Sequence, residues 1–170
     1  AFEHLLADRV RVLGEYHPRT LEARASLANQ LGQAGRVSEA ITAFEQVLAD
    51  QVRVLGADHP STLRTRGRIV AYLGQAGRTA EALAAGETLL RDDVRVLGAD
   101  HENTLAARHT VASLLREAGR VAEAIDAYKQ LLPDLSRVLG PDHPDYLTAC
   151  ENYAGTLGVV GRTAESLTAF

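Results

Sequence analysis

The stretch Leu55-Gly56-Ala57-Asp58-His59-Pro60-Ser61-Thr62-Leu63 decides the fold, because the chain repeats it. It returns as Leu97-Gly98-Ala99-Asp100-His101-Glu102-Asn103-Thr104-Leu105 and as Leu139-Gly140-Pro141-Asp142-His143-Pro144-Asp145-Tyr146-Leu147. An earlier copy reads Leu13-Gly14-Glu15-Tyr16-His17-Pro18-Arg19-Thr20-Leu21, so His17, His59, His101 and His143 stand 42 residues apart. A second marker keeps the same period: Ala34-Gly35-Arg36, Ala76-Gly77-Arg78, Ala118-Gly119-Arg120 and Val160-Gly161-Arg162. Each of those arginines is followed three residues later by a glutamate, Glu39, Glu81, Glu123 or Glu165. Two independent markers at one period define a repeat array. The chain reads as one repeat domain, 1–170, with a partial repeat at 1–16, repeats at 17–58, 59–100 and 101–142, and a truncated repeat at 143–170.

Within each repeat the apolar residues follow helical spacing. Phe2, Leu5, Leu6, Val10 and Leu13 recur at intervals of three and four, which predicts an amphipathic helix over 1–13 that Gly14 stops. Pro18 then falls in the first turn of a new helix, where proline is tolerated, and Leu21, Leu27, Ala28 and Leu31 form its apolar stripe. This is the A helix of the repeat. Gly35 ends it, Ser38 is the expected N-cap of the longer B helix, and that helix runs to about Leu55. The same reading places A helices near 60–76, 102–118 and 144–160 and B helices near 79–97 and 121–139. No stretch alternates with period two, so the fold class is all-α, built of antiparallel helix pairs. Pro133 predicts a kink inside its B helix, since it cannot donate to the Lys129 carbonyl. Gly86 stands where Phe44, Tyr128 and Phe170 stand in the other copies, and Tyr72 is a candidate to fill the space.

Composition removes several function classes. A net charge of -4 and a pI near 5.9 give no basic footprint for nucleic acid. The 17 arginines stand beside the single lysine, Lys129, and are spread along the chain. The lone Cys150 cannot form an internal disulfide. No apolar run reaches the ~20 residues of a membrane span, and no signal peptide is visible. The expectation is a cytoplasmic segment of a larger protein, with no cofactor and no membrane partner.

The Gly turn, the alanines of the second helix (Ala40, Ala82, Ala124) and the Leu-Gly-x-Asp-His-Pro-x-Thr-Leu signature resemble the tetratricopeptide repeat. The 42-residue length is similar to the kinesin-light-chain variety, and in particular to bacterial arrays in regulatory proteins that often carry a nucleotide-binding module. The resemblance implies a right-handed superhelical solenoid whose A helices line a concave groove for peptides or partner segments. Kinesin light chains carry a paired Asn in the A helix. The matching positions here are Ala25-Ser26, Gly67-Arg68, His109-Thr110 and Glu151-Asn152, of which only Asn152 keeps the residue type.

Other groupings weigh towards structure. Histidines on successive repeats sit ~8–10 Å apart, too far to share an ion bound at ~2 Å, so they are expected to order the loop and the next helix start. Cys150 and His143 lie two turns apart, about 10 Å, so no nucleophile–base pair is expected and the chain is not read as an enzyme. The Arg36/Glu39, Arg78/Glu81, Arg120/Glu123 and Arg162/Glu165 pairs suit a first helical turn. Arg24, Arg66 and Arg108 recur as a row with two readings: inter-helix salt bridges to acids such as Asp50 and Asp92, or an anion-binding row for an acidic partner.

Repeat arithmetic places Glu22, Ala25, Asn29, then Arg64, Gly67, Ala71, then Ala106, His109, Ser113, then Thr148, Glu151 and Gly155 in the groove. The resulting expectation is a non-catalytic scaffold that binds a protein or peptide segment there. The alternative is the ligand-sensing arm of a nucleotide-binding regulator. The truncated repeats at the two ends are expected to associate head to tail through Phe2, Leu5, Leu6 and Val10 on one side and Leu147, Tyr153, Leu157 and Phe170 on the other.

Overall fold

The computed structural model describes residues 9–161. Residues 9–13 are helical, and seven complete helices follow. They are α1 (Pro18–Gln33), α2 (Val37–Leu55), α3 (Pro60–Gln75), α4 (Thr79–Leu97), α5 (Glu102–Glu117), α6 (Val121–Leu139) and α7 (Pro144–Val159). Among the described residues there is no strand, and no helix is long and apolar enough to cross a membrane. A helices and B helices alternate at the expected period, with 16 residues in α1, α3, α5 and α7 and 19 in α2, α4 and α6.

Both kinds of helix end are built by glycine. At the end of α2, Gly56 adopts φ 93, ψ 161, and at the end of α6, Gly140 adopts φ 94, ψ 158. A side chain is strongly disfavoured in that region, so the loop geometry depends on the missing Cβ. The A helices close with a left-handed Gly35 (φ 80), after which the Arg36 amide donates back to the Leu31 carbonyl at 3.0 Å. That is the Schellman arrangement. It makes Arg36 the N-cap of α2 and starts the helix at Val37, so Ser38 lies inside the first turn and is not the cap.

The chain divides into two compact units, 1–78 and 79–170. In the first, α1 packs on α2, α2 on α3, and α1 touches α3. Its core holds Leu21, Ala28, Ala40, Ile41, Phe44, Val47 and Leu63. Tyr72 stacks on Phe44 with ring centroids 5.7 Å apart, and a Cβ at Gly32 would overlap its ring. Tyr72 is thereby engaged inside the first unit, and Gly86 is buried in the second. The second unit packs α4 on α5, α5 on α6 and α6 on α7, with α5 touching α7. Its core joins Leu105, Ala112, Ile125, Tyr128, Leu131, Leu135, Ala149, Tyr153 and Leu157. Tyr153 and Leu157 therefore belong to this core and do not form an open face. Leu147 is exposed, Val10 is partly exposed, and Phe2, Leu5, Leu6 and Phe170 lie outside the described residues.

Candidate binding groove

Each described A helix begins with the histidine of the repeat signature acting as its N-cap. His17, His59, His101 and His143 sit in extended backbone, and each Nδ1 accepts the amide of the residue two places on, at 3.1–3.2 Å. An imidazole thus takes the place that Ser or Asp usually fills, and proline at the next position presets the first turn at three of the four sites. Among the described residues, no group of three His, Cys, Asp or Glu could hold a metal ion. Cys150 is fully buried.

Two members of the arginine row, Arg24 and Arg108, each hold a helix pair together. Arg24 reaches Asp50 at 2.7 Å and Arg108 reaches Asp134 at 2.8 Å. Arg108 also donates to the Gln130 carbonyl at 3.0 Å. That carbonyl lies next to the Lys129 carbonyl, from which Pro133 withholds an amide, yet α6 runs unbroken through the proline. Arg137 extends the network, meeting Asp100 at 2.5 Å and Asp134 at 3.1 Å. The two guanidinium groups hold the Asp134 carboxyl below the usual range, Arg108 contributing most. Two repeats earlier the position of Asp100 is occupied by Tyr16, and Arg53, the equivalent of Arg137, stacks over the Tyr16 ring at 4.1 Å. A cation–π contact there replaces the ion pair.

On the A-helix side of the first unit lies a cleft of about 460 Å3. Glu22, Ala25 and Asn29 of α1 and Arg64 of α3 all line it, together with Ser26, Gln30, Gln33, Thr65 and Arg68. The floor is Phe44 and Gln51, from α2. Both are buried, at 2% and 1% exposure. Repeat arithmetic confined to A helices misses these two. The available signal is that the apolar stripe of the B helix is broken at this position by Gln51, as it is by Asp93 one period later, where Leu135 keeps it. Gly67 and Ala71 lie on α3 but do not line the cleft, Gly67 half-buried and Ala71 exposed.

The second unit has a smaller cleft of about 140 Å3, lined by Glu102, Leu105, Ala106, His109, Thr110, Leu135, Leu139 and Asp145. His109 is half-buried, its Nε2 3.0 Å from the Asn152 amide and its ring 6.0 Å from that of Tyr128. Asn152 donates, so the neutral imidazole carries its proton on Nδ1. Burial holds His109 below its ordinary value, against a smaller opposing pull from Asp145. His109 is thus bound to its own neighbour, α7, rather than standing free in the groove. Ser113 of α5 is half-buried, Thr148, Glu151 and Gly155 of α7 are exposed, and none of the four lines this cleft.

The tetratricopeptide repeat profile matches residues 22–93 and 75–136. The chain belongs to the tetratricopeptide repeat family. Two solved structures of a Podosopora anserina protein described as a kinesin light chain with nearly identical repeats are each 26% identical. One, a point variant, has a TM-score of 0.82, covering 99% of this chain and 79% of the other; the second has 0.80, covering 99% and 80%. BtubC (BKLC) of P. vanneervenii is 15% identical with a TM-score of 0.85, covering 99% of this chain and 67% of that one, and shows the shared fold. No curated protein matches. The fold is the all-α tetratricopeptide solenoid of antiparallel helix pairs, of the kinesin-light-chain-like kind.

Proposed function

We propose that this chain is a non-catalytic interaction scaffold whose A-helix groove holds an extended partner segment, with the cleft between α1 and α3 as its principal contact. Tetratricopeptide repeats in general mediate protein–protein interaction, and the kinesin-light-chain-like neighbours fit a scaffold. The observation that carries the reading is the convergence of Glu22, Ala25, Asn29 and Arg64 on one cleft of about 460 Å3. Arg64 and Arg68 are exposed on its rim and make no ion pair among the described residues, so they are available to a ligand. Arg24 and Arg108, by contrast, already hold carboxylates. The cleft is mixed in polarity and open, which suits a peptide strand better than a small apolar molecule.

The test is retention of immobilised random-sequence peptides by the wild-type chain and by Ala25→Trp, with helicity followed by circular dichroism. Ala25 faces the cleft, so tryptophan obstructs it without entering the core. Peptide retention should fall at least tenfold with helicity unchanged. Undiminished retention by the variant would rule the cleft out as the binding surface.

A further inference from the structure

The floor of the cleft holds a buried polar side chain whose acceptor is unsatisfied. Gln51 lies on α2 with 1% of its surface exposed, it lines the cleft, and its Oε1 makes no hydrogen bond within the protein. At the 42-residue period the equivalents of Gln51 are Asp93, a buried polar residue 3% exposed, and Leu135, 2% exposed and packed in the core, where it lines the smaller cleft. A leucine therefore satisfies this site in the architecture, whereas a buried amide end without a partner destabilises it.

A second amide lining the same cleft is fixed in orientation. The Tyr72 hydroxyl lies 3.0 Å from Asn29 Oδ1 and 3.1 Å from the Asn29 carbonyl, so its proton is committed to that oxygen edge. The Asn29 side-chain NH2 is left to donate elsewhere. The cleft thus offers one acceptor, Gln51 Oε1, and one donor, the Asn29 amide, beside the Phe44 ring. Arg64 and Arg68 stand at the entrance, opposed there only by Glu22.

We infer that this cleft reads an Asn or Gln side chain inserted by an extended partner segment, its NH2 donating to Gln51 and its carbonyl accepting from Asn29. The inference rests on the groove reading above and names what the groove selects. Burial of Gln51 behind α1 and α3 puts it beyond a peptide main chain lying across the A helices, so a side chain must reach it. A carboxylate would set acceptor against acceptor at Gln51 Oε1. An ammonium or guanidinium would have to pass two arginines. An apolar side chain would leave the Gln51 amide unpaired, which is the basis of strong rejection at polar sites. A carboxamide answers both groups, because it carries a donor for Gln51 Oε1 and an acceptor for the Asn29 NH2.

The experiment presents the full chain with immobilised peptide pools. Each pool has its central residue fixed as Asn, Gln, Asp, Lys, Tyr or Leu and the flanks randomised. The chains compared are wild type, Gln51→Leu, Gln51→Met and Ala25→Trp. Wild type should retain the Asn and Gln pools at least fivefold over the others. Gln51→Leu should lose that preference to within twofold while its melting temperature equals or exceeds that of wild type. Gln51→Met repeats the test should leucine disturb the packing. A preference that survives in both Gln51 variants overturns the inference. So does equal retention of every pool, and if Ala25→Trp still abolishes that retention, the groove reading stands alone. Selection of the Tyr pool over the carboxamide pools overturns it in favour of a phenol. Retention of no pool by wild type overturns both readings.

Discussion

At the scale of single residues, the array depends on an unusual cap. His59 accepts the Ser61 amide through Nδ1, and removal of an N-cap acceptor costs about 1 kcal/mol. His59→Ala should lower stability by about that amount in urea titrations, and His59→Asp should recover most of it; equal loss in both would deny the cap its role. The imidazoles at 17, 59, 101 and 143 must be unprotonated at Nδ1, which predicts the Nε2–H tautomer in nitrogen-15 spectra. His109 is the opposite tautomer, because its Nε2 accepts from Asn152. Its folded value is depressed by burial from the ordinary 6.5. The unfolded chain therefore takes the proton first, so the His109 contribution is complete above about pH 6.5 and shrinks as pH falls below it. Wild type should lose more stability than His109→Gln between pH 7 and pH 5. The reverse order would show that protonated His109 is favoured in the fold.

At the scale of the helix, boundaries were legible because each is written in residue chemistry that the period repeats. A helices expected at 60–76, 102–118 and 144–160 end one residue earlier, since Ala76, Ala118 and Val160 serve as caps. The start of α2 was misread because Ser38 is a good cap by type, whereas the Schellman turn fixes Arg36 at that place through its backbone. What the pattern could not supply was rotation of the helices. Gly67 and Ala71 share their repeat positions with Ala25 and Asn29 but do not line the first cleft. Gln51 was missed because a B-helix residue reaches the groove only through the gap between two A helices. Two element-level substitutions follow. Gly140→Ala places a Cβ at φ 94, ψ 158 and should cost about 1–3 kcal/mol, shortening or disordering the loop before α7. Pro133→Ala should stabilise by about 2 kcal/mol, the restored bond to Lys129 outweighing the freedom gained by the unfolded chain. Urea midpoints read both, and a stable Gly140→Ala would mean the loop tolerates another geometry.

At the scale of the whole chain, the organising fact is that within each unit the described helices touch only their neighbours in sequence or the next helix but one. The helix–helix contacts inside each unit are therefore local, and stability in such an array is a sum of repeat terms and nearest-neighbour terms. In such a system a core cavity weakens the repeats around it rather than the chain uniformly. Phe44 and Tyr128 occupy equivalent positions, are 2% and 0% exposed, and anchor the cores of the first and second units. Truncation of either aromatic to alanine should cost about 3–5 kcal/mol locally. Phe44→Ala should then reduce hydrogen-exchange protection most in α1, α2 and α3, which surround it, and least in α7. Tyr128→Ala should do so most in α5, α6 and α7 and least in α1. Native-state hydrogen exchange at low denaturant separates this from a single cooperative unit, in which both variants would lower protection equally in every helix. A uniform loss would show that coupling between neighbouring repeats exceeds the stability of any one of them, and the nearest-neighbour sum would have to be replaced by one global term.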